Sequence, residues 1–272
     1  MSLVTTPELS MTCMRGRAVG VVLAALCALG TSAAAQAPPS AAIPRASDGK
    51  PDLSGFWQVS NTAAWDIQDH RAQKGIPAGQ GVVDGNEIPY QPWAAAKKLE
   101  NVANRAAADP ESKCYLPGVP RLTYMPFPFQ IVQTPKELVL LYEYVHAVRT
   151  VRTDGSPHPS GPFEWWLGDS RGHWEGDTLV VDIVQFNDRT WFDRAGNFHS
   201  DALHVVERYS LVDPDHINYT VTIEDPKVFA RPWNMNMVLY RHKEKNFQLY
   251  EYECYGFDFE KIYPYPDLGA AR

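Results

Sequence analysis

Apolar and polar residues alternate strictly in the second half of the chain. In the run 217–224, Ile217, Tyr219, Val221 and Ile223 are separated by Asn and Thr residues. A repeat of two residues places successive side chains on opposite faces of a strand, so that one face is buried and the other is wet. This part of the chain is therefore predicted to form half-buried β-strands.

Similar runs recur along the chain, and short turn sequences separate many of them. They are Asp52–Val59, Phe129–Gln133, Leu138–Val145, Ser170–Trp174, Thr178–Val184, Leu203–Leu211, Ile217–Glu224, Met235–Arg241 and Phe247–Cys254. Turns such as Glu175-Gly176-Asp177 are too short for the crossovers that parallel strands need, and they predict an antiparallel meander. We expect a mainly-β domain that closes into a lipocalin-like barrel or packs as a β-sandwich.

One N-terminal helix is expected beside the strands. Pro92 can occupy a first helical turn, and the helical pattern continues to about Ala108. The Asp109-Pro110 pair then ends it, because proline cannot continue a helix in this position.

The first residues resemble a targeting segment. Arg15 and Arg17 precede an apolar run over residues 18–29, and three alanines follow at positions 33–35. This order is typical of a secretory signal peptide, whereas a membrane span needs about 20 apolar residues. We predict a signal peptide over residues 1–35, a flexible linker over 36–51, and one barrel-like domain over 52–272. The protein is then exported to the periplasm or beyond, with no integral membrane segment after cleavage.

Composition and charge narrow the functional classes. The 44% hydrophobic residues, with 8 Trp, 13 Tyr and 11 Phe, can fill a core, which excludes a disordered chain. The net charge of −7 disfavours a nucleic-acid partner, since phosphate binding needs a basic surface. The sequence makes no prediction about oligomeric state.

Two of the four cysteines belong to the predicted mature chain. Cys13 and Cys27 lie in the predicted signal peptide, which leaves Cys114 and Cys254. An even pair in an exported protein favours a disulfide. The alternative, a reactive thiol or metal ligand, lacks a CxxC motif or a nearby His.

Four motifs together resemble a widespread family of bacterial exported proteins. They are Asp48-Gly49-Lys50-Pro51-Asp52-Leu53-Ser54-Gly55-Phe56-Trp57, Cys114-Tyr115-Leu116-Pro117-Gly118-Val119-Pro120-Arg121, Trp174-Glu175-Gly176-Asp177-Thr178-Leu179-Val180-Val181, and Phe186-Asn187-Asp188 leading to Trp191. The resemblance covers the mature chain and implies export, but it implies no particular activity. Gly55-Phe56-Trp57 is also similar to the Gly-x-Trp opening of lipocalin-type barrels, from which no ligand residues carry over.

Strand parity places carboxylates on apolar faces. Glu207 shares a face with Val205 and Tyr209, and a single strand over residues 138–149 would align Glu143 with Arg149. A buried carboxylate is costly unless it is paired or hydrogen-bonded. These residues predict either a polar pocket with perturbed pKa values or a structural Glu–Arg network, with Arg149 or Arg241 as the partner.

The opposite face of the predicted strand 138–149 carries Tyr142, Tyr144 and His146. Glu251, in the last predicted strand, shares a face with Phe247 and Leu249 and is a further candidate for a buried acid. Sequence alone leaves open which face of each strand lines the interior.

The long connection over residues 186–201 is the second candidate region. Long connections in compact domains are often functional. His199 is predicted as a general acid or base that Asp193 or Asp201 orients, and Trp191 as a stacking residue for an aromatic or apolar ligand. The alternative is a solvated loop held by its own Asp–Arg pairs.

A proline-rich apolar segment, residues 124–129, is the third candidate region. Tyr124 and Phe127 are predicted to line the mouth of a pocket, with plain core packing as the alternative. Arg121, at the end of the preceding motif, is assigned to ligand binding with them.

The chain lacks the local motifs of common cofactor sites. It has no Gly-rich nucleotide loop, no GxSxG and no HExxH motif. His199 and His204 would point to opposite faces of a strand, which disfavours a shared metal. We therefore expect no cofactor and no metal.

Three functional hypotheses follow. The first is a cofactor-independent lyase, isomerase or hydratase that acts on a small apolar or aromatic compound, with acid–base chemistry by His199, Asp193, Glu143, Glu207 and His146. Its ligand-binding residues are Trp191, Tyr124, Phe127, Tyr142, Arg149 and Arg121. The second is a periplasmic lipocalin-like carrier of a small hydrophobic ligand. The third is a carbohydrate-active protein, which needs two acids about 5–10 Å apart.

Overall fold

The computed structural model describes residues 42–73 and 76–254. The predicted signal peptide, residues 36–41 of the predicted linker and residues 255–272 of the predicted domain lie outside the described residues. Residues 42–51, the part of the predicted linker that the structure describes, form a turn in which Arg45 pairs with Pro51. An ion pair fixes this turn to the barrel. There the Arg45 guanidinium donates to both oxygens of Asp177, at 2.6 and 2.7 Å.

Nine strands form a closed barrel in which sequence neighbours are also spatial neighbours, and the last strand pairs with the first. The strands are β1 Gly55–Val59, β2 Phe129–Gln133, β3 Glu137–Tyr142, β4 Val148–Arg152, β5 Asp169–Glu175, β6 Thr178–Val184, β7 His204–Asp213, β8 His216–Glu224 and β9 Trp233–Arg241. This confirms the mainly-β, barrel-forming prediction, and it excludes the sandwich.

One pair of neighbours departs from the predicted antiparallel meander. β4 and β5 are parallel, with Val151 opposite Ser170, whereas the other neighbouring pairs run antiparallel. Strand direction cannot alternate all the way around a closed ring with an odd number of strands, so one neighbouring pair must be parallel. Residues 153–168, here named the crossover loop, make the long connection that this pair requires.

Two of the predicted strands differ in the structure: one ends early, and the other does not form. β3 stops at Tyr142, and the next residues form a turn in which Val145 and His146 have left-handed φ values of 48° and 51°. The parity assumed from residue 138 to Arg149 is therefore wrong. The predicted strand Phe247–Cys254 is also wrong, and it forms an irregular segment with one bridge, between Tyr252 and Tyr144. With β9 already paired to β1, the closed barrel offers this segment no edge.

The long helix forms as predicted. Helix α1 covers Pro92–Ala108, and Asp109 follows it. The Asp109 side chain then accepts a hydrogen bond from the Glu111 amide and begins a 3₁₀ turn over Pro110–Lys113. A second, single-turn helix, α2 Arg121–Tyr124, is too short to leave a periodic signal in the sequence. No helix in the described part of the chain is long and apolar enough to cross a membrane.

An arginine of β9 stacks on a tryptophan of β1, where the pairing of these two strands closes the barrel. Arg241 of β9 lies over the Trp57 ring of β1, 4.1 Å from its centroid, and also donates to the Ser54 carbonyl. Gly55 adopts a φ of +133°, and a side chain there would collide with the Arg241 guanidinium. The Gly-x-Trp sequence is therefore needed locally, because the arginine occupies the space beside the strand.

Candidate functional site

The barrel interior contains a buried charge pair. The Arg149 guanidinium of β4 donates to both oxygens of Glu207 of β7, at 3.2 and 2.7 Å, and to the Ser170 hydroxyl at 3.0 Å. The hydroxyls of Tyr209 and Tyr219 donate to the same carboxylate, at 3.2 and 2.5 Å. Arg149 and Glu207 are 3% and 0% exposed, so every polar group in this network is satisfied without contact with solvent.

Electrostatics in this network favour a fixed structure over proton transfer. Burial, with the charge of Glu207, raises the pKa of Tyr209 and Tyr219 well above the ordinary tyrosine value. Burial alone would lower the pKa of Arg149, but the Glu207 carboxylate raises it above its ordinary value. Arg149 and Glu207 thus form the structural Glu–Arg network that was one of the two interpretations of the buried carboxylates. Tyr142 packs beside it, where burial raises its pKa.

Glu143 and His146 lie in the turn after β3, where Glu143 is buried and His146 is exposed. The Glu143 carboxylate accepts a 2.9 Å hydrogen bond from the Tyr250 amide and thereby fixes the C-terminal segment. His146 is exposed and faces the Glu253 carboxylate at 3.5 Å. Glu143 and His146 therefore do not belong to the interior network of Glu207 and Arg149.

His199 is held between two neutral groups. Its Nδ1 lies 2.9 Å from the Ser200 carbonyl, which can only accept, so Nδ1 carries the proton and Nε2 accepts from the Thr190 hydroxyl at 2.6 Å. Burial lowers the pKa of His199, which favours this neutral form. The prediction that Asp193 or Asp201 orients His199 is therefore wrong.

Asp193 organises its own loop instead. Its carboxylate accepts from the amides of Ile67 and Asn197, at 2.9 and 3.1 Å, and from the Asn197 side chain at 2.5 Å. Burial and the charge of Asp66 raise the pKa of Asp193 to about 7. Asp201 lies at the surface, where it pairs with Lys227 at 2.6 Å.

The connection 186–201 is neither an open active site nor a solvated loop. Phe186, Trp191, Phe192 and Phe198 are at most 9% exposed, and the loop packs into the hydrophobic core. Its exposed positions are few, and Asp188 and Arg189 are two of them. Most of the loop is therefore structural, and it presents charge to solvent at Asp188 and Arg189 and at its end, Asp201.

The proline-rich segment is also largely structural. The Tyr124 hydroxyl donates to the Phe192 carbonyl at 2.7 Å, and the ring is buried. The Phe127 ring packs against Tyr144 and Tyr252, with centroids 5.3 and 4.5 Å apart. These contacts match the core-packing alternative.

Arg121 lies at the centre of a second buried ion network. It pairs with Asp109 at 3.0 Å and with Glu111, and the Glu111 carboxylate also accepts from Arg194 at 2.8 and 2.5 Å. Arg194 in turn lies over the Trp65 ring at 4.2 Å. The network fixes the 3₁₀ turn that follows α1, and it leaves Arg121 fully buried.

Beside this turn lies a groove with a volume of about 520 Å³, here named the aromatic groove. It is lined by Ala108, Pro110, Lys113, Tyr115, Trp166, Asp188, Arg189 and Trp191. The lining combines three aromatic rings with two cations and one carboxylate. Tyr115 is 50% exposed, whereas Trp191 is 8% exposed and belongs to the buried part of its loop.

The walls of the aromatic groove are held by long-range contacts. The Cys114–Cys254 disulfide confirms the predicted pairing and fixes the chain between Lys113 and Tyr115. On the other wall, the Trp165 amide donates to the Gln185 carbonyl at 2.9 Å, and the Asn187 amide donates to the Trp165 carbonyl at 3.1 Å. The rings of Tyr115 and Trp166 meet across the groove, with centroids 5.3 Å apart.

Sequence reasoning found only one lining residue of this groove, Trp191. Tyr115 and Asp188 stand in motifs noted above, and Arg189 lies in the connection 186–201, but nothing local distinguished them as ligand contacts. Lys113 and Trp166 carried no signal, since they belong to the 3₁₀ turn and the crossover loop. These segments converge only in the folded barrel.

No protein-family model matches the chain, and no curated protein or solved structure shows significant similarity to it. Within residues 42–73 and 76–254, no three His, Cys, Asp or Glu side chains are arranged to hold a metal ion.

Proposed function

We propose that this protein is an exported binding protein that holds a small aromatic anion in the aromatic groove. The proposal develops the carrier hypothesis but moves the ligand from the barrel interior to the side of the barrel. The observation that carries it is the convergence of Tyr115, Trp166 and Trp191 with Lys113 and Arg189 in one groove.

The chemistry of the lining favours this class of ligand. Tyrosine and tryptophan rings stack on planar apolar groups, and lysine and arginine attract carboxylate or sulfonate groups. Asp188 can accept a hydrogen bond from a hydroxyl or amide on the ligand. The volume of about 520 Å³ lies in the usual range for small-molecule sites.

The rigidity of the walls also supports a binding role. One wall is fixed by the disulfide and by the buried pairing of Glu111 with Arg121 and Arg194, and the other by backbone hydrogen bonds to residues 185–187. A site that is ordered before the ligand arrives loses less conformational entropy on binding. The disulfide also supports export, because oxidising compartments permit such bonds.

The residues assigned to acid–base catalysis do not form a comparable site. His199, Asp193, Glu143 and Glu207 are buried in the fixed contacts described above, and His146 faces Glu253 at the surface. General acid–base catalysis needs a group that can reach the substrate proton. The contacts of these residues therefore support structural roles, and the aromatic groove supports binding.

Calorimetry with naphthoate and its neutral isostere naphthamide tests the proposal. We expect naphthoate to bind about threefold more tightly than naphthamide, since a contact with an exposed charged side chain is worth about 0.2–1 kcal/mol. Lys113→Met should reduce this preference and leave naphthamide binding in place, with Arg189 as the remaining cation of the groove. Trp166→Ala should weaken the binding of both probes, because it removes a stacking surface.

Two exposed residues outside the groove supply matched controls. Lys245→Met removes a surface charge, and Trp93→Ala removes a tryptophan that is 52% exposed on α1. Both should bind naphthoate like the wild type. If the wild type binds neither probe, or if Trp166→Ala binds both of them unchanged, the groove is not the binding site.

A further inference from the structure

A second pocket lies against the outer face of β9 and has a volume of about 390 Å³. Three segments line it: residues 60–62, which follow β1, residues 79–82, and the exposed positions Asn236, Val238 and Tyr240 of β9. We name it the neutral pocket. Its described lining shares no residue with that of the aromatic groove.

Backbone contacts bring these segments together. The Asn236 amide of β9 donates to the Val82 carbonyl at 2.8 Å, and Gly79 exchanges two backbone hydrogen bonds of 3.0 Å with His70. A side chain at Gly79 would place its Cβ 1.6 Å from the Thr62 hydroxyl oxygen, so the lack of one allows this close approach. The walls of the neutral pocket are therefore fixed before a ligand arrives.

The lining offers hydrogen-bonding groups without charge. Its hydroxyl and carboxamide side chains are those of Ser60, Asn61, Thr62, Gln80, Asn236 and Tyr240, and none of the described lining residues is Asp, Glu, Lys, Arg or His. An ion would find no charged partner here, and removing an ion from water without a partner is unfavourable. The neutral pocket thus favours an uncharged ligand that is rich in hydroxyl groups.

Two of the carboxamides are oriented by contacts inside the protein. The Asn236 Nδ2 donates to the Asp84 carboxylate, which leaves Oδ1 to accept from a ligand. The Asn61 Oδ1 accepts from the Ala63 amide at 3.0 Å, and its Nδ2, which lies 3.9 Å from the Met237 sulfur, is left to donate. One carboxamide thus presents an acceptor and the other a donor, and a hydroxyl group matches both because it donates and accepts.

Tyr240 supplies an aromatic surface beside these carboxamides. It is 45% exposed, and its ring packs against the His216 imidazole, with centroids 5.2 Å apart and ring planes at 86°. His216 is itself held by Asp213 at 2.8 Å. A tyrosine ring fixed in this way offers an apolar face, on which the C–H face of a sugar ring can pack while the sugar hydroxyls reach polar neighbours.

We propose that the neutral pocket binds an uncharged saccharide. The sugar ring packs on Tyr240, and its hydroxyls bond to Asn61, Gln80 and Asn236. Gln80 and Asn236 are exposed, so a ligand can reach their side chains. This site goes beyond the proposed function and uses none of the residues that carry it, so neither depends on the other.

The chemistry of the lining supports binding without cleavage. Glycoside hydrolysis uses two carboxyl groups about 5–10 Å apart, and the described lining holds no carboxyl group. The site therefore binds the saccharide and does not perform the cleavage that the carbohydrate-active hypothesis requires.

Saturation-transfer difference NMR, which detects weak binding, tests the proposal on the exported protein. Cellobiose and maltose are the probes, and we expect at least one of them to receive saturation from the protein. In titrations, Tyr240→Ala should raise the dissociation constant about tenfold, because the packing surface is lost. Gln80→Ala should raise it about threefold, because one hydrogen bond is lost.

Tyr250→Ala and Asn234→Ala are the matched controls. Tyr250 is 71% exposed and is not among the described lining residues. Asn234 lies on the same outer face of β9, where its side chain accepts from the Thr222 hydroxyl at 2.9 Å. Both variants should bind the saccharide like the wild type. The proposal is refuted if neither saccharide binds to the wild type, or if Tyr240→Ala binds as tightly as the wild type.

Salt and the groove variants separate this site from the aromatic groove. Binding to an uncharged lining should be the same at about 0.05 M and about 0.5 M NaCl, and a marked loss at the higher concentration would contradict the proposal. Trp166→Ala should bind the saccharide like the wild type, and Tyr240→Ala should bind naphthoate like the wild type. If naphthoate does not bind but the saccharide binds and is lost in Tyr240→Ala, the proposed function is wrong and the saccharide site is correct.

Discussion

At the scale of single residues, the contacts of a histidine decide its chemistry. His199 lies between a carbonyl and a hydroxyl, whereas His158 lies between two carboxylates. The environment of His199 favours the neutral ring, with Nδ1 donating and Nε2 accepting. Pro157 and Pro159 flank His158, and Phe198 and Ser200 flank His199, so neither local sequence records these partners.

The lowered pKa of His199 predicts a loss of stability in acid. Below the ordinary imidazole value of 6.5, the unfolded chain binds a proton that the folded chain does not bind. The free energy of unfolding should therefore fall as the pH decreases from 6.5 towards the lowered pKa. Urea unfolding over this range should show a shallower slope for His199→Gln than for the wild type.

His173→Gln serves as the control, since His173 is exposed and lies 3.2 Å from Glu175, and it should retain the wild-type slope. The variants are compared with the wild type at each pH, because Asp193 changes the stability of the protein with pH in the direction opposite to His199. Its pKa is raised to about 7, so its contribution to stability falls as the pH rises from 3.8 to that value. An unchanged slope in His199→Gln would mean that His199 is protonated equally in both states.

At the scale of elements, the 3₁₀ turn after α1 and the C-terminal segment depend on each other. Cys114 has a left-handed φ of 59° at the end of the turn, and its disulfide reaches Cys254 across 140 residues of sequence. Tyr250 is tied to Glu143, and Tyr252 stacks near Tyr144 with ring centroids 5.4 Å apart. The segment that could not join the sheet is thus held by one covalent and several weaker contacts.

Removal of the disulfide should destabilise the protein. For a loop of this length the chain-entropy model gives about 5 kcal/mol, and native disulfides typically contribute about 2–5 kcal/mol. Cys114→Ser/Cys254→Ser should therefore unfold at lower denaturant concentration and should bind naphthoate more weakly.

Non-reducing mass analysis of the exported wild-type protein gives an independent check. Neither Cys114 nor Cys254 should react with a thiol reagent before reduction. Two reactive thiols in that protein would contradict the disulfide. Unchanged naphthoate affinity in the double-serine variant would show that the disulfide is not needed to position Lys113 and Tyr115.

At the scale of the whole molecule, the interior charge pair joins strands that are distant in the ring. Arg149 of β4 and Glu207 of β7 meet across the interior, and Ser170 of β5 and Tyr219 of β8 contact them. The desolvation energy of a buried ion pair can equal its Coulombic attraction, so the intact pair adds little stability. Removal of one partner, however, leaves an uncompensated buried charge and strongly destabilises the fold. The pair therefore constrains how the barrel can close.

Arg149→Met should lower the free energy of unfolding by about 3–5 kcal/mol, because it leaves Glu207 charged and buried. Arg149→Met/Glu207→Gln should recover part of this loss, since glutamine still accepts from the tyrosines without carrying a charge. Arg208→Met is the control. It breaks an exposed ion pair between Arg208 of β7 and Glu175 of β5 and should cost less than about 1 kcal/mol.

Guanidinium unfolding measures the free energy of unfolding of the three variants. If the double variant is no more stable than Arg149→Met, the penalty is not purely electrostatic.

Much of the fold could be predicted from the sequence, and little of the site. The alternation in residues 217–224 and the Pro92–Ala108 helix are local patterns, and the structure confirms them. The turn after Tyr142 could not be predicted, because an apolar run continues through it. The groove could not be predicted either, because its lining comes from the 3₁₀ turn, the crossover loop and the connection 186–201.

The sequence by itself determined most of the strands, the long helix and the pairing of Cys114 with Cys254, because periodicity and a single even pair are independent of distant contacts. Tertiary structure alone decided the parallel β4–β5 pair, the burial of the connection 186–201 and the partners of each charged side chain. Closure of the barrel sets which faces point inward, and it brings Lys113, Trp166 and Arg189 to one groove. These outcomes depend on contacts between segments far apart in the chain, and no local pattern records such contacts.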